Sequence, residues 1–112
     1  MTPDNLKNIL AAHAQWLADP TTGQRADLTR ADLTGANLTD ANLTGAGLAG
    51  ADLTDATLHG AYLTGADLTD ADLSYADLTD ADLSYANLTD ADLKGADLKG
   101  AVILPGWRLV RV

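Results

Sequence analysis

A period of five residues governs this chain. From Ala26 onward the pattern Ala-(Asp/Asn)-Leu-Xaa-Xaa recurs unit after unit, as in ADLTRADLTGANLTDANLTG over 26–45. Leu holds every fifth position from Leu28 to Leu98, and Ala stands two residues before each, from Ala26 to Ala96. The next unit, Ala101-Val102-Ile103-Leu104-Pro105, keeps Ala and places Ile103 where Leu stood. The main departures are Gly47, Thr57 and Tyr62 at the Asp/Asn position.

A helix makes no use of such a period. Five residues at about 100° each overshoot a full turn by roughly 140°, so the leucines would spiral around the whole surface and leave no apolar face. In a flat strand Ala and Leu, two apart, share a face. Five is odd, however, so the next pair would face the other way. The chain keeps every Ala and Leu on one side only by turning a corner within each unit. Corner chemistry agrees: the fifth position is Gly or Asp in twelve of the fifteen full units, and both residue types suit turns. A chain that turns one way at every unit becomes a coil. Stacked coils then pair their backbones at the strand spacing of about 4.8 Å.

Composition restricts function more than fold. All 16 acidic residues are Asp, the formal net charge is −9, and there is no Cys and no Phe. Such low complexity means disorder or a repeat architecture, and a hydrophobic content of 46% argues against disorder. The acidic balance disfavours nucleic acid and anionic membranes as partners. Lack of Cys excludes a disulfide scaffold and a thiolate metal site. No signal peptide and no apolar run of about 20 residues is visible, so a cytoplasmic protein is expected.

Three segments are expected: a capping helix and link over 1–25, the repeat array over 26–105, and a tail over 106–112. Thr2 can cap the helix, with Pro3 at its first position. Leu6, Ile9, Leu10, His13 and Leu17 form one stripe, with Trp16 at its margin. Asp19-Pro20 ends it, and the PTTGQR stretch links it to the array. A helix this short is marginal alone, so its apolar face is expected to cover the first coil.

The A(D/N)LXX units resemble the pentapeptide-repeat family, over about 80 residues of this chain. The stretch NLKNILAAHAQWL…GQRADL also resembles the helical lead-in of bacterial, notably cyanobacterial, members. The regularity suits a consensus design as well. The resemblance implies an all-β solenoid: a right-handed quadrilateral parallel β-helix with four units per coil, about four coils, and an N-terminal α-helical cap. The inward core ladder would then stand in four columns. They are Leu28, Leu48, Leu68, Leu88; Leu33, Leu53, Leu73, Leu93; Leu38, Leu58, Leu78, Leu98; and Leu43, Leu63, Leu83, Ile103. Each buried side chain contributes roughly 1.5–3 kcal/mol.

The same arithmetic stacks the outward residues. Asp32, Asp52, Asp72 and Asp92 form an acidic ladder, while Lys94, Lys99, Arg108 and Arg111 gather near the C-terminal end. Within the family, the quinolone-resistance proteins resemble a rod of DNA and engage DNA gyrase. That makes the ladder a candidate partner-binding surface, against the simpler reading that Asp solvates an outer wall. This array lacks the core Phe and the projecting loop that gyrase-active members tend to carry. Trp107, Leu109, Val110 and Val112 would either cap the last coil or form a homodimer contact.

No catalytic constellation is expected. His13 falls on the apolar stripe, His59 stands alone on an outer wall, and Ser74 and Ser84 have no visible His partner. No metal spacing or phosphate loop is present, so no metal, cofactor or catalytic residue is assigned. Tyr62, Tyr75 and Tyr85 take outward positions, where aromatics can anchor a protein contact. The expectation is a non-catalytic structural or interaction module with an unidentified protein partner. A DNA mimic that binds gyrase or another type II topoisomerase is the alternative.

Overall fold

The structure is a computed structural model that describes residues 1–104 and the backbone of 107–108. Helix α1 runs Pro3–Ala18. Its start is set by Thr2, whose hydroxyl accepts from the Asn5 N–H (3.1 Å), with Pro3 supplying the fixed φ favoured there. At its end Asp19 Oδ1 accepts from the Thr21 N–H (3.0 Å) and hydroxyl (2.8 Å). The link then folds back on the helix: the Gln24 N–H donates to Ala12 C=O (3.1 Å). Gly23 is required at this point. It has φ +63°, and a Cβ there would drive into the Ala12 carbonyl and the Gln15 side chain.

From Ala26 the chain coils. Parallel bridges join each Asp/Asn position to the residue twenty later, from Asp27 to Gly47 through Asp82 to Val102. The hydrogen bonds repeat with the units. The Leu33 N–H donates to Asp52 C=O (2.8 Å), the Asp52 N–H to Ala31 C=O (2.9 Å), and at the corner the Gly35 N–H to Thr54 C=O (2.9 Å). Every fifth residue from Arg30 to Gly100 takes a left-handed backbone, eight of them without being glycine. Those corners fall four to a coil and keep Ala and Leu inside.

Inside, the leucines from Leu28 to Leu83 are at most 1% exposed. Leu88 and Leu93, in the last coil, are half-buried. Ser74 and Ser84 are buried behind the Asp two residues earlier in each unit. Leu6, Ile9 and Leu10 of α1 pack against the core. Trp16 instead stacks on His13, with ring centroids 5.6 Å apart. After the last unit, strands β1 (Val102–Leu104) and β2 (Trp107–Arg108) pair antiparallel. The expected cap or dimer contact places Trp107 in β2; Leu109, Val110 and Val112 lie outside the described residues.

Candidate interaction surface

His13 joins helix to coil. It is fully buried, its Nδ1 accepts from the Ala26 N–H (2.9 Å), and its Nε2 lies 2.9 Å from Thr44 C=O. A carbonyl needs a donor and an amide N–H needs an acceptor, so the ring is the neutral tautomer with its proton on Nε2. Burial pushes its pKa below the ordinary histidine value, the Thr44 carbonyl pulls the other way, and the Arg25 charge adds to the lowering. Arg25 pins the same junction, its Nε–H donating to Gly45 C=O (2.6 Å).

On the outside, the Asp/Asn side chains work locally before anything else. Oδ1 of Asp32, Asp52, Asp72 and Asp92 accepts from the N–H two residues later, at Thr34 (3.1 Å), Thr54 (3.0 Å), Ser74 (2.9 Å) and Lys94 (2.9 Å). Each carboxylate thereby clamps its own corner. Hydrogen bonds from the Thr34 and Ser74 side chains, then from their backbone N–H groups, hold the carboxyls of Asp32 and Asp72 below the usual carboxylate range. The four stand in one column through successive parallel bridges.

The four walls differ in chemistry. One carries that acidic column. The wall built from 41–45 and its equivalents carries Asn42, Tyr62, Asp82 and Val102 in the matching column. There Tyr62 is 52% exposed, Tyr85 75% and Leu104 59%, giving an aromatic and aliphatic face with one carboxylate in its column. Tyr75, at the corner beyond the acidic column, lies across Gly95, where an added Cβ would sit 2.5 Å from the ring. His59 Nδ1 meets the Thr79 hydroxyl (2.6 Å). The Ser74 hydroxyl donates to Asp72. Among the described residues, the hydrogen bonds of His13 and His59 go to Ala26, Thr44 and Thr79, not to a serine. Among the described residues, no three His, Cys, Asp or Glu side chains gather as metal ligands, and no helix is long and apolar enough to cross a membrane.

A cavity of about 520 Å³ lies between the start of α1 and the first coil, lined by Leu6, Lys7, Leu10, Leu33, Ala36 and neighbouring residues. Sequence reasoning missed it. The signal was present: one sixteen-residue helix has to cover a coil of twenty residues.

The family profile described as pentapeptide repeats matches residues 24–60 and 61–100 in eight copies. A pentapeptide repeat protein from the Arabidopsis thaliana thylakoid lumen is similar, with 39% identity and a TM-score of 0.70 over 75% of this chain and 58% of that one. The chain thus spans little over half of that protein. One from Nostoc shares 44% identity at a TM-score of 0.56, over 81% of this chain and 75% of that one. A plasmid-mediated fluoroquinolone resistance protein also matches, at 19% identity and a TM-score of 0.22, too distant to bear on function. No curated protein matches.

Proposed function

Since the chain belongs to the pentapeptide-repeat family, we propose that it is a non-catalytic interaction module, a right-handed quadrilateral β-helix that presents its outer walls to a protein partner. Members of this family are generally non-catalytic structural modules. The contrast between walls carries the reading. The acidic carboxylates are held in their own corners, whereas Tyr62, Tyr85 and Leu104 are exposed on one wall with little charge. Exposed aromatics with an apolar neighbour are the residues that anchor protein contacts. The test compares capture of proteins by the wild type, by Tyr62→Ser/Tyr85→Ser and by Asp52→Asn/Asp72→Asn. A partner lost with the tyrosines and kept with the asparagines supports the wall. A partner indifferent to both pairs sinks it.

The acidic column supports a second reading, a DNA mimic that engages gyrase, because four aligned carboxylates share one wall. Salt-sensitive inhibition of supercoiling, lost on changing Asp32, Asp52, Asp72 and Asp92 to Asn, would favour it. No inhibition by excess protein removes it. Self-association belongs to the same proposal: the half-buried Leu88 and Leu93 favour the C-terminal end as the contact, the sequence offers Trp107, Leu109, Val110 and Val112 for it, and light scattering over a concentration series tests it. Cytoplasmic residence is proposed too, although one similar protein comes from the thylakoid lumen. Fractionation of cells that produce the protein tests that.

A further inference from the structure

Helix α1 closes only part of the first coil. Within the stack, each outward residue donates its N–H to the Ala carbonyl of the coil before and accepts from the Leu N–H there, as Asp52 does with Ala31 (2.9 Å) and Leu33 (2.8 Å). The first coil has no coil before it. His13 takes the Ala26 N–H and the Thr44 carbonyl. The backbone N–H and C=O of Asp32, the same groups of Asn37 and the Thr34 C=O have no hydrogen-bond partner among the described residues. These residues line the 520 Å³ cavity, whose floor is Leu6, Leu10, Leu33 and Ala36. Ala36, in that lining, and Ala31 are half-buried, while Ala51 and Ala56, their counterparts one coil on, are 0% exposed.

We propose that this groove binds an extended peptide of a partner protein, which adds as a parallel strand beside Asp32 with a small residue, a basic residue and a larger apolar residue in succession. A peptide backbone supplies both the acceptor and the donor that an open strand edge needs, at the spacing the edge presents. The register of the stack then sets the side chains. The carbonyl of the small residue accepts from the Asp32 N–H, and the N–H of the apolar residue donates to the Asp32 C=O. Both side chains point inward, toward Ala36 and the helix leucines. The middle residue points outward, in line with Asp32, Asp52, Asp72 and Asp92, where Lys or Arg meets a column of carboxylates and competes with the Met1 amine and Lys7, which line the same groove. A second copy is excluded as occupant because α1 stands where its coil would stack. This inference rests on the interaction role proposed above but uses another surface.

The test titrates the isotope-labelled full chain with the synthetic peptide acetyl-Gly-Ala-Lys-Leu-Thr-Gly-amide and follows backbone amides by NMR. Saturable shifts are expected at Asp32 through Gly35, with hydrogen exchange of the Asp32 N–H slowed roughly ten-fold or more. N-methylation of the peptide's Leu removes its donor and should weaken binding about ten-fold. Exchanging its Lys for Asp should weaken binding too, and Asp32→Asn should reduce that preference while keeping the turn. The Tyr62→Ser/Tyr85→Ser protein should bind the peptide unchanged, so failure of the tyrosine wall and failure of the groove are separate results. No shift at millimolar peptide, equal binding by the N-methylated peptide, or an Asp32 N–H already protected in the free protein at any concentration would each overturn the proposal.

Discussion

The two ends of the stack carry near-identical units in different surroundings. Leu28, Leu33, Leu38 and Leu43 in the first coil are at most 1% exposed, whereas Leu88 and Leu93 in the last are half-buried. The units ADLTG and ADLKG around Leu33 and Leu93 do not explain this. At the first coil, what lies across the end does. Helix α1 lays Leu6, Ile9 and Leu10 on the first coil and locks itself there through His13. In a solenoid, burial of a residue is decided by its neighbours along the axis more than by its own unit.

The sharpest way to break that comparison is to put a charge into a column. Leu68→Asp, with a coil stacked on either side and 0% exposed, should abolish the cooperative fold, because an unpaired buried carboxylate has nowhere to be solvated. Leu93→Asp should leave the first three coils folded. Circular dichroism with hydrogen exchange reads both, and equal collapse would mean that the ends are not independent. A gentler version truncates the same position at each end. Leu33→Ala should cost about 2–5 kcal/mol in denaturant unfolding, and Leu93→Ala clearly less.

Next in size is the lock itself. His13→Ala strands the Ala26 N–H and the Thr44 C=O, at a cost of about 1–3 kcal/mol for buried groups left unpaired. Hydrogen exchange should quicken in the first coil and stay unchanged in the last. Acid should act on the same joint. The folded state lowers the His13 pKa, so the unfolded chain binds the proton more readily. The joint is then at full strength above the unfolded value of about 6.5 and weakens as pH falls below it, since a protonated Nδ1 would face the Ala26 N–H. Asp32 and Asp72, whose pKa values are also lowered, lose their contribution only at lower pH, below the usual carboxylate value of about 3.9. Two acid steps are expected in wild type. The upper one should vanish in His13→Gln.

The period of five made the inward columns legible, because no other arrangement keeps Leu28 through Leu98 on one side. The cap limits were legible from Thr2, Pro3 and Asp19. The role of His13 was not: its partners lie 13 and 31 residues away, and on the helix stripe it reads as one more packed residue. The aspartates were half legible. Their outward direction followed from the repeat, while their use as corner clamps needed the Thr or Ser two residues later to be read as part of the same turn. The left-handed corners at Gly and Asp were foreseeable, whereas Arg30, Tyr75 and Tyr85 adopt them because the stack over-determines the backbone.

The acidic column allows a finer comparison between charge and clamp. Asp72→Asn keeps an oxygen to accept from the Ser74 N–H and should shift the thermal midpoint little. Asp72→Ala removes the acceptor from the corner and should lower the thermal midpoint clearly more than Asn does. If Asn were as damaging as Ala, charge and not the turn would be what holds the wall.

The smallest expected effect separates two corners of the same chemistry. Tyr75 and Tyr85 both sit at φ near +60°, at 61° and 62°, where a residue with a Cβ is disfavoured by roughly 1–2 kcal/mol and Asn is tolerated. Tyr85 is 75% exposed, so Tyr85→Asn relieves the backbone and gives up little packing. Stability should rise by up to about 1 kcal/mol. Tyr75 lies across Gly95, so Tyr75→Asn trades the same relief against lost ring contact and should come out near neutral. Equal gains at both sites would show that the Tyr75 contact with Gly95 adds nothing. A loss at Tyr85 would show that its ring is already packed in solution, as a contact between copies would require.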